Sequence, residues 1–381
     1  MSKKHSIFIL MAVALWSCSI TQKTVGPSVA AQSLKLIDIY DIPYQFSFQQ
    51  TIVGGLSGID FDSTEQLFYT ISDDRSALQP ARFYSMKILF SDNKIDTILF
   101  QQAVTLKQPN GEPYPSSKES PQLTPDPEAI RYNPITKQLI WTSEGERIVT
   151  TKDTVIADPS IQMMDRLGNY IRSFSLPDNL RMSFQEKGPR RNGVLEGATF
   201  ADNYQTLWVS LEEPRYEDGP QATLLPNDAW VRLYKFDVTK GKSVAQYAYK
   251  LDPVAYAPNP AGSFMVNGIP DIMDIGNNKL LVMERSFSTG RLACTIKIFE
   301  VDLNEAKDIS KIQSLKNNPP QKPLRKKLIL NMDELGIYTD NVEGMCLGPR
   351  LKNGKRSLWM IADNNFSAAE RTQIFLFEVN E

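Results

Sequence analysis

The sequence predicts an all-β fold, and three observations lead to that class. Strand-like segments rich in β-branched and aromatic residues recur along most of the 381 residues, while patterns with a helical period are scarce. A unit that opens on a polar or acidic residue, turns, and returns in a strand ending on a carboxylate occurs five times, at intervals of 68 to 75 residues. Each unit has enough strand-like sequence for about four strands, which is the number in one blade of a β-propeller. We therefore expect a propeller of five four-stranded blades, with six blades as the alternative.

Five pairs of residues define the repeat, each made of an opening residue and a closing carboxylate. The pairs are Ser57 with Asp73, Glu128 with Glu144, Glu196 with Glu212, Asp271 with Glu284, and Glu343 with Asp363. Three pairs are 16 residues apart, whereas the fourth is shortened at Gly276-Asn277-Asn278 and the fifth is lengthened by residues 351–356. Because the length changes fall in the turn and not in the strands, the repeat is a structural unit.

The two ends of the repeat array predict how the ring closes. Leu34 to Tyr40 reads as a strand without a unit of its own, and the fifth unit supplies only a third strand, Gln373 to Val379. Pairing these two segments would complete the fifth blade and remove two exposed sheet edges. The predicted propeller domain therefore spans residues 34–381.

The N-terminal residues have the layout of a signal peptide. A basic pair precedes an apolar run, 7–15, that is too short to cross a membrane. The run ends in Leu15-Trp16-Ser17-Cys18, which resembles the lipobox of bacterial lipoproteins. We expect residues 1–17 to be removed, Cys18 to carry a lipid, and residues 18–33 to form a flexible tether. The predicted location is extracytoplasmic, on the periplasmic side of the outer membrane; a chance cysteine after an ordinary signal peptide is the alternative.

Composition excludes several function classes. His5 is the only histidine and lies in the predicted signal peptide, so the mature chain cannot use a Ser-His-Asp triad or an imidazole zinc site. The mature chain would hold 42 − 2 = 40 basic and 44 acidic residues, a formal charge of −4. Since it has no long basic stripe, we expect no nucleic-acid partner. We also expect the protein to be a monomer. Cys294 and Cys346 lie in apolar strand text, which favours buried free thiols over a disulfide.

The opening residues and closing carboxylates are predicted to collect at one face, because the first two strands of a blade are antiparallel. Nine of these ten positions are Asp or Glu, and such charges repel one another unless a cation lies among them. Oxygen ligands without histidine favour Ca²⁺ first and Mg²⁺ second. Pairing with arginines is the alternative for some of these acids. The predicted metal ligands are Asp73, Asp74, Glu128, Glu144, Glu196, Glu212, Asp271, Glu343 and Asp363.

Motifs from all five units resemble, in the same order, those of the bacterial phytase-like family labelled "esterase-like activity of phytase". They are GGLSGIDFD with YTISDDR, DPEAIRY with WTSEGE, NGVLEGATF with LWVSLEEP, GIPDIMDI with LLVMERSF, and NVEGMCLGP with LWMIADNNF. The resemblance runs from about Leu34 to Glu381 and implies a β-propeller that is secreted or lipid-anchored. It does not fix the reaction, since one fold hosts many functions.

A metal-dependent phosphoric ester hydrolase is the activity that we predict for the acidic face. Calcium would neutralise phosphate oxygens of a small-molecule substrate and activate a bound water, while arginines hold the phosphate. The predicted catalytic residues are Glu196, Glu128, Arg75 and Arg285, and the predicted substrate-binding residues are Arg82, Arg215, Asn364 and Asn365. The alternatives are a non-catalytic ligand-binding module at the cell envelope and a metal-dependent lactonase or esterase. A serine esterase is disfavoured, because Ser57 lies in no GxSxG motif and has no histidine to activate it.

Overall fold

The computed structural model describes residues 33–380. The predicted signal peptide, Cys18 and the tether up to residue 32 lie outside the described residues. Residues 33–380 form five blades around a central channel, with two short 3-10 turns, Asp178–Leu180 and Met332–Leu335. In this part of the chain no helix has the length and apolar character needed to cross a membrane. The prediction of an all-β propeller with five blades is confirmed, and the six-bladed alternative is not adopted.

The strands follow one another blade by blade. Before the first blade come β1 (Ser33–Ile42), β2 (Ser47–Phe48) and β3 (Thr51–Ile52). Blade 1 contains β4 (Leu56–Asp62), β5 (Leu67–Ser72), β6 (Arg82–Ser91) and β7 (Lys94–Thr105). Blade 2 contains β8 (Pro127–Asn133), β9 (Gln138–Ser143), β12 (Ser160–Met164) and β13 (Tyr170–Ser173); the hairpin of β10 (Glu146–Val149) and β11 (Thr154–Ala157) is inserted between β9 and β12.

The remaining blades are built in the same way. Blade 3 contains β14 (Leu195–Ala201), β15 (Thr206–Leu211), β16 (Trp230–Asp237) and β17 (Lys242–Lys250). In blade 4 both β18 (Met265–Gly268) and β19 (Ile272–Gly276) pair with β20 (Lys279–Ser288), which is followed by β21 (Thr295–Asp302) and β22 (Arg325–Asn331). Blade 5 contains β23 (Asn341–Leu347), β24 (Arg356–Asp363) and β25 (Thr372–Asn380), with β1 as its outermost strand.

The innermost strands form a closed ring, because β4 contacts β8, β8 contacts β14, β14 contacts β19, β19 contacts β23, and β23 contacts β4. Glycine follows the opening residue in three units, and the close approach of neighbouring strands explains why. A Cβ on Gly58 would lie 2.6 Å from the carbonyl oxygen of Glu128, and one on Gly197 would lie 2.7 Å from Cα of Asp271. The narrow ring therefore brings the opening residues of adjacent blades next to one another.

The N-terminal strand closes the ring, as the sequence predicted. β1 pairs antiparallel with β25, with Ser33 opposite Asn380 and Ile42 opposite Thr372. We call the face at which β24 ends and β25 begins the rim face. Since β25 runs away from that face, β1 begins on the opposite face and runs back toward the rim face.

The hydrophobic core lies between adjacent blades and not in one central mass. Between blades 5 and 1, for example, the ring of Trp359 packs 5.2 Å from that of Phe68 and 5.1 Å from that of Phe90. Cys294 and Cys346 are both buried and free, as the sequence favoured. These inter-blade cores hold the inner strands in position, so the channel mouth is a rigid frame for the acidic side chains.

Candidate metal centre at the carboxylate rim

Acidic side chains gather at the rim face, at the mouth of the channel. The ends of the second strands are held in equivalent positions by backbone hydrogen bonds. The Asp73, Glu144 and Glu212 N–H groups donate at 2.7, 3.1 and 2.8 Å to the carbonyls of the residues just before the first strands. We define the carboxylate rim as the set Asp73, Asp126, Glu128, Glu144, Glu196, Glu212, Glu343 and Asp363. All except Asp73 and Asp126 are at least nine-tenths buried, so the rim concentrates negative charge out of solvent.

Three rim acids of blade 2, Asp126, Glu128 and Glu144, form the tightest group, which we call the blade 2 cluster. Each offers an oxygen atom, and these atoms lie within 4.8 Å of one another. Glu144 accepts a hydrogen bond from the Val194 N–H at 2.5 Å, whereas Glu128 accepts none from residues 33–380. The sequence indicated Glu128 and Glu144 but not Asp126. The motif DPE, which places Asp126 two residues before the opening Glu128, was the signal available for it.

For several carboxyl groups of the rim, burial and neighbouring charges disfavour the ionised form. Burial raises the pKa of Glu128 well above its usual value, and the charge of Glu196 raises it further. Burial raises the pKa of Glu196 in the same way, with Glu144 as the strongest neighbouring charge. For Asp126, burial raises the pKa to about 6 although Arg75 opposes the shift. A bound cation would relieve the repulsion that these shifts reflect.

Arg75 lies beside the blade 2 cluster with part of its guanidinium unused. Its Nη1 donates to Glu146 Oε2 at 2.6 Å, and its Nε lies 3.7 Å from Asp126 Oδ2. Both Nε and Nη2 are buried without a hydrogen-bond acceptor among the described residues. Arg191, which the sequence did not indicate, holds Glu146 from the other side at 2.8 Å. Arg75 therefore keeps two N–H donors that no group of residues 33–380 uses.

Arg285 is the second arginine at the rim. It belongs to blade 4, and its guanidinium group lies between acids of blades 3 and 5. Its Nη2 donates to Glu212 Oε1 at 2.7 Å, and its Nη1 donates to Asn341 Oδ1 and Glu343 Oε1. Its Nε has no acceptor in the described part of the chain. Glu212 and Glu343 are thus neutralised by the protein itself, so the predicted metal ligands divide into paired and unpaired acids.

Glu284, the closing acid of blade 4, does not lie at the rim, and the prediction that every closing carboxylate gathers there is wrong for this unit. Its Oε1 accepts from Tyr249 Oη at 2.6 Å and from Lys326 Nζ at 2.5 Å, and its Oε2 accepts from Asn267 Nδ2 at 2.7 Å. Adjacent side chains of a strand point to opposite faces, so Arg285 takes the rim position in its place.

Asp271 belongs to a buried ion pair inside the channel. Arg131 Nη2 donates to both Asp271 oxygens at 2.5 and 2.6 Å, and the N–H groups of Ile272 and Met345 donate to them at 2.8 and 2.7 Å. Arg131 also donates to the carbonyl of Ala198 at 2.5 Å. Since both carboxylate oxygens already accept two hydrogen bonds, we leave Asp271 out of the proposed cation sites.

Asp74 and Arg82, predicted as a metal ligand and a substrate-binding residue, pair with each other. Arg82 Nη1 donates to Asp74 Oδ2 at 2.8 Å, and its Nη2 donates to the Ile52 carbonyl at 2.9 Å. The same carboxylate accepts the N–H groups of Ala77 and Gln79, both at 2.8 Å. These contacts shape the loop after β5, so neither residue enters the proposed site.

The other predicted substrate-binding residues also have partners within the protein. Arg215 Nε donates to Asp218 Oδ2 at 2.7 Å in a buried network. Asn364 Oδ1 accepts the N–H groups of Phe366 and Gly55 at 3.1 and 3.2 Å, and Asn365 Nδ2 donates to Glu370 at 2.8 Å. We therefore retain Arg75 and Arg285, whose guanidinium groups keep unused donors, as the arginines of the site.

Solved structures with a similar fold are distant in sequence. An exo-β-1,3-galactanase from Phanerochaete chrysosporium is 10% identical with a TM-score of 0.46, covering 90% of this chain and 64% of that one. An endo-1,4-β-xylanase from Bacteroides thetaiotaomicron is 11% identical with a TM-score of 0.41, covering 91% and 92%. A xylan β-1,4-xylosidase from Bacillus halodurans is 10% identical with a TM-score of 0.44, covering 88% and 55%. Such similarity concerns the fold alone and says nothing about substrate.

The sequence itself gives a family. No protein with a curated description matches the chain. The profile of the Phytase-like family, described as "Esterase-like activity of phytase", matches residues 51–366. The matched range holds the opening and closing residues of all five units, and therefore the whole carboxylate rim. This chain belongs to the phytase-like family.

Proposed function

We propose that this protein is a metal-dependent phosphoric ester hydrolase whose cation is held by the blade 2 cluster. One observation carries the proposal: Arg75, with two buried N–H donors that lack acceptors, lies beside three carboxylates whose oxygens are within 4.8 Å of one another. Phosphate esters need both a cation and directed N–H donors, because negative charge is spread over several oxygens. Membership of the phytase-like family supports the same class of reaction.

The donor set fits calcium first and magnesium second. Asp126, Glu128 and Glu144 supply hard carboxylate oxygens, which both ions prefer, and the flexible spacing of such groups suits the larger coordination number of calcium. Glu128 is buried and accepts no hydrogen bond from residues 33–380, so its lone pairs are available to an ion. When bound, calcium would offset the charge of the rim and polarise the phosphate.

The side chains around the cluster have distinct roles in this proposal. Arg75 and Arg285 bind phosphate oxygens through N–H groups that have no acceptor within the protein. Glu196, whose raised pKa keeps it protonated nearer to neutral pH, is the proton donor. Water attacks phosphorus, the ester P–O bond breaks, and the leaving oxygen takes the proton of Glu196. The proton lost by water passes to an ionised carboxylate of the rim.

Phosphate release tests the proposal. Purified protein is incubated with phytate and with p-nitrophenyl phosphate, after treatment with EDTA and after addition of CaCl₂. We expect release that depends on calcium and falls by about 100-fold or more in Glu128→Gln and Arg75→Ala, since each loses a charge that contacts the phosphate or its cation. Glu119→Gln, which removes a carboxylate from an exposed loop, is the matched control and should keep full activity.

A negative result in this test would also distinguish between the two alternative functions. Absence of phosphate release with calcium, magnesium and other divalent ions would reject the phosphoesterase. Calcium-dependent thermal stabilisation without turnover would then favour the ligand-binding module. Turnover of lactones or carboxylic esters, tested in parallel under the same metal conditions, would favour the lactonase or esterase.

A further inference from the structure

Asp363, at the end of β24, has a carboxylate oxygen without a partner. The residue is 1% exposed. Its Oδ1 accepts the Asn365 N–H at 3.0 Å, but its Oδ2 is buried and makes no hydrogen bond within the described chain. A buried polar atom in this state is costly, and native proteins normally satisfy it with a donor, a water or an ion. Asp363 Oδ2 is therefore a candidate ligand atom for an ion.

Two further unpartnered oxygen groups come from blade 1, which adjoins blade 5 through the contact of β23 with β4. Asp73 closes β5, and its carboxylate accepts no hydrogen bond from residues 33–380. The Asp73 carboxylate lies against Gly55, where an added Cβ would come within 2.0 Å of Asp73 Oδ1. The Gly55 N–H donates to Asn364, the residue after Asp363, at 3.2 Å, so the two acids lie close to each other. After burial, the charge of Asp363 contributes most to the raised pKa of Asp73. Ser57, the opening residue of blade 1, is 3% exposed, and its Oγ also has no partner.

This group is separate from the blade 2 cluster. Glu343 precedes Gly344, where an added Cβ would lie 3.0 Å from the carbonyl oxygen of Ser57, so it belongs to the junction of blades 5 and 1. Arg285 neutralises Glu343 at that point. The mutually close oxygens of the blade 2 cluster include neither Asp73 nor Asp363. The rim thus holds unpaired acids at two places, in blade 2 and at the junction of blades 5 and 1.

We propose that Asp73, Asp363 and Ser57 bind a second divalent cation, calcium in preference to magnesium, at the junction of blades 5 and 1. Two carboxylates and a hydroxyl are hard oxygen donors of the kind that calcium takes, with water completing its coordination. This ion is not the one in the reaction proposed above, because its ligands come from blades 5 and 1 and those of the other ion come from blade 2. Its existence does not depend on hydrolase activity.

Calcium stoichiometry tests the proposal on the full mature chain. EDTA-treated, desalted protein is titrated with CaCl₂ by isothermal titration calorimetry, and native mass spectrometry counts the ions bound. We expect two calcium ions per chain in the wild type and one in Asp363→Asn. Glu128→Gln should also bind one, at the other site, and the double variant should bind none. Glu119→Gln serves as the matched control and should bind two.

One calcium ion in the wild type, or two in Asp363→Asn, would overturn the second site. Asp73→Asn provides an independent variant in case Asp363→Asn does not fold, which circular dichroism would show. The outcome is distinguishable from that of the hydrolase assay. Two ions without phosphate release would support the second site and reject the enzyme, whereas phosphate release with a single ion would do the reverse.

Discussion

Arg131 connects the blades from inside the channel. It lies on β8 of blade 2 and donates to the carbonyl of Ile59 in blade 1, to that of Ala198 in blade 3, and to Asp271 of blade 4. Asp271 in turn accepts the N–H of Met345 in blade 5 at 2.7 Å. One ion pair therefore bonds directly to all five blades.

Replacement of Arg131 by glutamine should destabilise the protein strongly. The change leaves Asp271 buried without its counterion, and breaking a buried ion pair in this way costs about 3–5 kcal/mol. Urea unfolding followed by tryptophan fluorescence measures the effect. Arg166→Gln is the matched control, because the Arg166 pair with Glu65 is partly exposed and such pairs contribute only about 0–1 kcal/mol. Equal stability of the two variants would contradict the role given to Arg131.

The pair of Arg131 and Asp271 also shows what could not be predicted from the sequence about individual residues. Arg131 stands in apolar strand text, and Asp271 lies 140 residues away from it. Composition and spacing identify Asp271 as an acid of the repeat, yet they do not reveal which opposite charge meets it. Asp74 was assigned to the rim for the same reason, although Arg82 and backbone N–H groups occupy its oxygens. Pairing depends on the assembled ring.

For the strands as elements, the two-residue alternation decides which side chains reach the rim. The pairs that close on a rim acid are 16 or 20 residues apart, both even numbers, whereas Asp271 and Glu284 are 13 apart. In blades 1, 2, 3 and 5 the register of the first two strands shifts at the opening residue, whereas in blade 4 it shifts near the turn, between Asp274 and Gly276. The end of β20 therefore presents Arg285, and not Glu284, to the rim. The different spacing of the Asp271 and Glu284 pair was thus the signal in the sequence that blade 4 departs from the other four.

Strand β1 should be essential for stability although it adds nothing to the site. A chain that begins at Tyr44 would lack β1 and expose the edge of β25 along its whole length. We expect this truncation to unfold at a clearly lower urea concentration and to aggregate, as size-exclusion chromatography would show. A chain that begins at Ser33 is the control and should keep the stability of a chain with β1 in place. Equal stability of the two truncations would mean that β1 does not close the ring.

For the molecule as a whole, the rim predicts an unusual dependence of stability on pH. Burial raises the pKa of Glu128, Glu144, Glu196 and Asp363 in the folded protein. A group whose pKa is higher when folded than when unfolded stabilises the fold fully below the unfolded value, about 4 for these carboxyls. That contribution is lost as the pH rises through the folded value.

The thermal unfolding midpoint in EDTA should therefore fall as the pH is raised from about 5 to about 7.5, a range that includes the pKa of about 6 to which burial raises Asp126. Saturating CaCl₂ should raise the midpoint most at the upper end of this range, because the ion binds the ionised acids. Differential scanning calorimetry at several pH values, with and without calcium, measures both effects. A midpoint that rises with pH in EDTA would contradict this account of the rim.

The whole fold was accessible from the sequence because it depends on a pattern repeated in every unit. Five strand pairs and one strand without a unit specify five blades and a closed ring, and the structure confirms both. For the candidate site, only its location at one face of the propeller could be predicted from the sequence. Which acids remain unpaired, such as Glu128 and Asp363, is decided by arginines and backbone N–H groups that other blades supply.

The direction of β1 has a consequence for access to the site. Ser33 stands at the face opposite the rim, so any segment that precedes it leaves the propeller there. A chain attached to a lipid at Cys18 would then hold the channel mouth away from the bilayer that anchors it. Substrate would arrive from the aqueous compartment, and molecules embedded in that same bilayer would be out of reach.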